Sequence, residues 1–342
     1  MVTIKDIAKA AGVSPSTVSR VVSNHPRISK ATTLKVKKIM DEMGYHPNVM
    51  AKSLVSKTTR TLAIMLPRPA EELFQDFFFG ELLRGILTQS TRAGYDMLLA
   101  TATSPHDENE TISRLVFGRR VDGIILLSAR MNDPLIDLLD KHRFPTVLIG
   151  RSDGHENILS VDNNNEQAAY DATSHLIVQG HERIGFVSGL PGLTVSHDRM
   201  EGYRRAMKDA GIAIKPEWIV EGELLQQSGY RAMSMMMSFP ERPSGLVVID
   251  DVVGFGVLRA LSELGYSVPE DLSLVSFNNI ALSELATPPI SSIDIGTYQL
   301  GYTASQLLIK RIMEEDIHQN RMVIPHRLIV RESSIQAIQK RS

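Results

Sequence analysis

With 342 residues, the chain is too long for one small domain and suits two or three modules, each able to bury its own core. It has no cysteine, which excludes disulfides and thiolate metal sites and fits a reducing compartment. The net charge of −2 hides an opposition, because residues 1–60 hold 11 Lys/Arg against 3 Asp/Glu while the remainder holds 26 against 36; a small basic module drawn to polyanions thus precedes a larger acidic one, unless the basic surface is merely solvated.

Met1-Val2-Thr3-Ile4-Lys5-Asp6 lacks the charged and then apolar run of a secretory signal. No stretch approaches the roughly 18 apolar residues that cross a bilayer, so a soluble cytoplasmic protein with no membrane partner is expected. Thr3 reads as an N-cap with Asp6 three positions on, and Ile4, Ile7, Ala8 and Ala11 make one apolar helical face that ends at Gly12. After the turn Gly12-Val13-Ser14, Ser14 caps a second helix from Pro15 to about Ser23, with proline where its missing N–H costs nothing. Val18, Val21 and Val22 can face inward, leaving Ser16, Thr17, Ser19 and Arg20 outside.

Two short helices joined by a glycine-containing turn are the arrangement that delivers the second into a DNA major groove. Short hydroxyls reach phosphates or bases, and an arginine pairs with both acceptors of a guanine edge. A third helix, from a Ser29 cap to Gly44, closes the core with Val36, Ile39, Met40 and Met43 and carries Lys35, Lys37 and Lys38 at or near solvent. A generic three-helix bundle for protein contacts is the competing reading.

The run from Thr3 to Ser14, followed by Ser16-Thr17-Val18-Ser19-Arg20-Val21, resembles the DNA-binding signature of the LacI family. The likeness continues through Gly44-Tyr45-His46-Pro47-Asn48 and Ala51-Lys52-Ser53-Leu54, and more loosely over the rest of the chain. It implies a DNA-binding set of Thr3, Ser14, Ser16, Thr17, Ser19, Arg20, Asn24, Asn48, Lys52 and Leu54. Residues 47–56 could form about two helical turns, too few to be stable alone. Such a segment folds only when a partner hinge and a widened minor groove support it. The resemblance implies that Leu54 wedges between central base pairs and bends the operator; as a plain linker, the segment would instead pack Leu54 on the next domain. A homodimer on a palindromic double-stranded operator follows from paired recognition and hinge helices.

From Arg60 the pattern becomes short apolar runs between helical stretches: Leu62–Leu66, Met97–Ala100, Ile124–Leu127, Val147–Ile149, Ile184–Val187, Leu246–Ile249 and Leu274–Phe277. These predict buried parallel strands in βαβ units, too many for one compact sheet. Crossovers at Ser160–Asn163 and Pro288–Ser292, with a third near Gln319–Ile324, suit two doubly wound lobes that resemble periplasmic sugar-binding proteins. The expected organisation is an all-α helix-turn-helix domain at 1–46, a hinge helix or linker at 47–59 and an α/β two-lobed domain at 60–335. Lobe 1 spans about 60–160 and 291–319, lobe 2 about 161–290 and 320–335, and 336–342 is a tail too short for a tetramerising heptad run.

Polar residues directly after predicted strands point to the cleft: Arg151, Asp162, Asp250, Asp251, Asn278 and Asn279. Arg199 lies where the family places its sugar-hydroxyl arginine. A carbohydrate needs bidentate donors and acceptors, here Arg199 with Asp250 and Asn278, and an aromatic face, here Phe78 and Phe79 within Phe77-Phe78-Phe79. The expected effector set is Phe78, Phe79, Arg151, Asp162, Arg199, Asp250 and Asn278. The alternative readings are helix N-caps or solvated loop positions for the acids and core for the phenylalanines.

Ser276-Phe277-Asn278-Asn279 and Ile149-Gly150-Arg151 are similar to repressors of maltose operons, implying maltose or a maltodextrin as effector. Asp250-Asp251, Asn278 and the lack of an aromatic near Leu224 depart from better-known members. No GxxxxGK[ST], HExxH or GxSxG motif occurs, so neither an enzyme nor a cofactor is expected. A catabolite-type regulator answering to a phosphorylated protein would share these motifs. A solute-binding protein would share the lobes but has no reason to carry residues 1–60.

Overall fold

The computed structural model describes residues 2–23, 25–45, 58–66, 77–102, 104–127, 129–151, 154–155 and 157–335. It divides into two compact units, Met1–Thr59 and Arg60–Ser342. Of the segment read as a hinge, only Thr58 and Thr59 are described, and the tail at 336–342 lies outside the described residues.

The first unit holds α1 (Ile4–Ala11), α2 (Pro15–Val22) and α3 (Lys30–Glu42). Asp6 accepts from the Thr3 backbone N at 2.9 Å and from Thr3 Oγ1 at 2.7 Å, closing the start of α1. Gly12 ends that helix at φ +65°, a left-handed conformation that glycine adopts without a Cβ penalty. Ser14 Oγ and Ser29 Oγ then cap α2 and α3 by accepting from the N–H groups of Thr17 and Thr32. Ile7, Ala8, Ala11, Val18, Val21 and Val36 form the buried centre, with Val22, Ile39, Met40 and Met43 packed against it. Apolar spacing on each helix dictates this small core.

The second unit opens with β1 (Thr61–Met65), α4 (Phe77–Arg92), β2 (Asp96–Ala100), α5 (Pro105–Val116), β3 (Gly123–Leu126), α6 (Pro134–Lys141), β4 (Thr146–Ile149) and β5 (Leu159–Asn163). It continues with α7 (Asn165–Val178), β6 (Ile184–Ser188), α8 (Thr194–Asp209), β7 (Ile219–Glu221), α9 (Gln226–Met236), β8 (Gly245–Val248) and α10 (Asp251–Glu263). It ends with β9 (Ser273–Phe277), α11 (Ala281–Leu285), β10 (Ser291–Asp294), α12 (Thr297–Ile312), β11 (Arg321–Ile324) and β12 (Arg327–Ile329).

Each apolar run read from the sequence is a strand. One six-stranded sheet is all parallel in the order β11-β5-β4-β3-β1-β2. The other runs β12-β10-β9-β8-β6-β7, parallel except for β12, which pairs antiparallel with β10. Helices cover both faces, which is why β3, β4, β6, β8 and β9 are buried along their whole length.

The sheets correct the lobe boundaries. Residues 161–163 and 321–324 belong to the first sheet, and 291–294 to the second. The chain therefore changes lobe after Asn163, after Asp294 and after Ile324, each a few residues past the expected lobe bounds. The first and third changes fall at the end of the crossover ranges read from the sequence, and the second two residues beyond its range. Hydrogen bonding carries every strand to the end of its ladder before the chain can leave, so the turn chemistry lies beyond the strand and not inside it. β7 and β12 went unread because each has three residues and no buried position.

Glycines let helices pair closely. A Cβ on Gly85 of α4 would sit 2.1 Å from the Tyr298 carbonyl oxygen of α12, and one on Gly202 of α8 would sit 2.0 Å from the Glu166 carbonyl oxygen of α7. No side chain larger than hydrogen fits at those distances.

Candidate functional site

In the first unit, capping and packing leave one side of α2 outward. Ser16, Ser19 and Arg20 are exposed and Thr17 is half-buried. Ser14 Oγ shares hydrogen bonds with Ser16 Oγ at 2.8 Å and Thr17 Oγ1 at 2.9 Å, so the hydroxyls at the start of α2 form one chain. The Arg20 guanidinium makes no ion pair among the described residues and is free to reach outward. Thr3 is exposed at the start of α1. Asn24, Asn48, Lys52 and Leu54 lie outside the described residues.

In the second unit, a cavity of about 320 Å³ opens between the lobes at the strand ends, within the size range of small-molecule sites. Phe78, Phe79, Asp162, Arg199, Asp250 and Asn278 all line it, together with Asn163, Asn165, Arg130, Glu223 and an apolar wall that includes Leu127, Ile149, Leu193, Leu224, Ile249 and Ile295. Arg151 does not: its Nη2 lies 3.0 Å from Asp198 Oδ1, so the residue joins the two lobes beside the cavity. Asp251 and Asn279 also turn away from it. Asp251 accepts from the hydroxyls of Ser276 and Ser292 and from the Ile280 N–H, and Asn279 accepts from Arg331.

Arg199 is the central cation. Only 4% exposed, it donates from Nε to Asn165 Oδ1 at 3.1 Å and from Nη1 to the Ile249 carbonyl. Burial pulls its pKa down to about 10, opposed by the charges of Asp250, Asp162, Asp251 and Asp198, so it stays cationic at neutral pH. Asp162 accepts from Asn165 Nδ2 at 3.0 Å and faces Arg321 Nη2 at 3.3 Å. Burial raises this carboxyl to about 6, against the lowering pull of the Asn163 N–H and of Arg321.

Asp250 caps α10 by accepting from the Val253 N–H at 2.8 Å, so the N-cap reading and the cavity position hold together. Asn278 has φ +91° and donates its N–H to the Ile293 carbonyl at 2.9 Å, leaving its side-chain amide in the cavity lining without a described partner. Phe78 and Phe79 meet edge-on at 5.1 Å; Phe79 is buried while Phe77 is 54% exposed. One phenylalanine is thus core and wall together.

At the rim, Ala129 O accepts from the Thr194 N–H at 3.1 Å, and the Met131 N–H donates to Gly192 O at 3.0 Å. These bonds join the lobes across the cavity mouth. Sequence reasoning missed Asn163, Asn165, Arg130 and Glu223. Asn163-Asn164-Asn165 directly follow Asp162, so the rule that selected the aspartate could have extended to them; Arg130 and Glu223 carry no such signal. Among the described residues, no helix is long and apolar enough to cross a membrane.

Residues 3–48 match the family described as bacterial regulatory proteins, lacI family, and residues 173–334 match the periplasmic binding protein-like domain. The chain is 33% identical to catabolite control protein A of Priestia megaterium, over 97% of this chain and 99% of that protein. It is 34% identical to the HTH-type transcriptional regulator MalR of Streptococcus pneumoniae serotype 4, over 96% and 99%. A solved transcriptional regulator CelR–cellobiose complex superposes with a TM-score of 0.76 at 32% identity, covering 97% of this chain and 100% of that one. The capped helix-turn-helix, the two-lobed unit that follows it in sequence and these full-length relatives make the chain a member of the LacI family, a DNA-binding transcriptional repressor and not an enzyme.

Proposed function

We propose that the protein is a cytoplasmic homodimer that represses sugar-utilisation genes at a palindromic operator and is released by a small sugar, maltose or a maltodextrin. The observation that carries this reading is the convergence of Arg199, Asp162, Asp250 and Asn278 on one interlobe cavity with Phe78 and Phe79 in its wall. Charged and amide groups suit paired hydroxyls, and apolar and aromatic surface suits a ring face. MalR is a close relative, and CelR is a relative whose solved complex holds a disaccharide, cellobiose.

On the DNA side, Ser14, Ser16, Thr17, Ser19 and Arg20, with Thr3, Asn24, Asn48 and Lys52, contact phosphates and bases, and Leu54 enters the minor groove. Effector binding shifts operator affinity through its differential affinity for two lobe arrangements, typically about 1–3 kcal/mol. The test is fluorescence anisotropy on an operator selected from random DNA, at one salt concentration, with and without maltose, maltodextrins, cellobiose and other sugars. Release by maltose or a maltodextrin alone supports the full proposal. Tight operator binding with no response to any sugar removes the sugar effector and turns the search to a phosphorylated protein co-regulator, as in the catabolite-type reading.

A further inference from the structure

The three chain crossings between lobes converge on one side chain. Asn163, the last residue of β5, is 3% exposed. Its Nδ2 donates to the Ile295 carbonyl at 2.8 Å and to the Ile324 carbonyl at 3.0 Å. Asn163 begins the first crossing, Ile295 follows β10 on the second, and Ile324 ends β11 before the third. An amide nitrogen has two N–H groups, and here both are committed, one to each of the other crossings.

The backbone around this point is built for close approach. Ile324 pairs with Asn163 in the β5–β11 ladder. The second crossing turns at Gly296 with φ +68°, where a Cβ would lie 3.0 Å from Ile324 Cγ2. Gly296 therefore lets the second crossing press on the third. Asn163 and Ile295 also line the interlobe cavity, and two residues further on Asn165 holds both Arg199 and Asp162.

We propose that Asn163 is the hinge pin of the two lobes: by tying all three crossings together at the cavity wall, it sets the pivot about which the lobes turn and so couples cavity occupancy to operator affinity. A lobe rotation must change backbone dihedrals at the crossings. With the three strands clamped at one amide, those changes are shared and the motion keeps a single axis. The coupling half of the claim rests on the small-molecule effector reading; the hinge half does not.

The test separates them. The protein has no cysteine, so Lys141→Cys in lobe 1 and Lys208→Cys in lobe 2 give a pair of spin-label sites with no background thiol, and mixing with an excess of unlabelled cysteine-free subunits isolates the distance within one protomer. Both lysines are exposed. Interlobe distances are measured by pulsed electron paramagnetic resonance in the full-length protein and in Asn163→Asp and Asn163→Ala variants, with circular dichroism confirming the fold. Aspartate keeps the shape but presents only acceptors to two carbonyls, and alanine removes the donors without adding charge.

The expected result is a narrow distance distribution in the parent and a broadened or displaced one in both variants. Superimposable distributions overturn the hinge pin whatever the effector proves to be. With any sugar that releases the parent, the ratio of operator affinities without and with effector should fall toward 1 in the variants, from the roughly 5-fold to 150-fold typical of such coupling. A ratio kept at the parent value overturns the coupling role, since a merely structural residue would change fold stability and leave that ratio alone. A parent that answers to no sugar refutes the effector reading and leaves the distance measurement to decide the hinge.

Discussion

The guanidinium of Arg199 lies 4.1 Å from the centre of the Phe277 ring while its Nε bonds Asn165. A buried cation is thereby held in one plane by a ring face below and an amide at its edge, with its charge still available toward the cavity. Arg199→Lys keeps the charge but loses the flat fork and the stacking. The expected consequence is effector binding weakened by about 1.5–3 kcal/mol, the usual worth of a hydrogen bond to a charged group, read by titration calorimetry. Equal affinities would remove Arg199 from the effector site.

Asp162 makes stability depend on pH. Its carboxyl is raised from 3.8 to about 6 in the folded protein, so the native state keeps a proton that the unfolded chain releases. The stabilisation is full below about pH 4 and is lost as pH rises through about 6, a difference of about 3 kcal/mol for a shift of this size. Asp162→Asn should accordingly be more stable than the parent at pH 7 and nearly equal to it at pH 4. Urea unfolding at both values checks this, and a variant less stable at pH 7 would show that the Arg321 contact outweighs the burial.

Gly202 lies where α7 and α8 touch. Gly202→Ala would place a Cβ 2.0 Å from a backbone oxygen, which no rotamer can relieve. A loss of about 1–3 kcal/mol is expected from overpacking, seen as a lower urea midpoint. Gly211→Ala is the contrast: it meets no neighbour within 4 Å but sits at φ +68°, so its cost comes from backbone strain alone.

Arg20 is exposed on α2 without an ion partner among the described residues. Arg20→Ala should reduce affinity for the selected operator by about 1–3 kcal/mol and relax its preference at one base pair. Lys37→Ala, also exposed, should weaken binding evenly across sequences if it meets phosphate. Anisotropy on operator and scrambled DNA distinguishes base reading from simple attraction.

Much of the architecture was legible in the residues. Caps, a glycine turn and helical apolar spacing act over three or four positions, so Thr3, Gly12, Ser14 and Ser29 could be assigned without tertiary information. Buried strands show as apolar runs where both faces need apolar cover, which is why β1, β3, β4, β6, β8 and β9 could be read. β2 was read from its apolar composition although it is mostly uncovered, and the short, open β7 and β12 could not be read. The buried β5 and β10, whose polar Ser160, Asp162, Asn163, Ser291 and Ser292 break the apolar run, were read as crossovers. The cleft was partly legible, since polar residues just past a strand end must lie near the rim of a doubly wound sheet.

Which of those residues share the cavity was decided only by the fold. Arg151 and Asp250 look alike in sequence, each directly beyond a strand, yet the first pairs with Asp198 across the lobes and the second lines the cavity. Local pattern determined the helices, the strands and the order in which they come. Side-chain direction and long-range pairing depend on neighbours more than a hundred residues away, as in the reach of Asn163 to Ile295 and Ile324, and no short-range rule contains them.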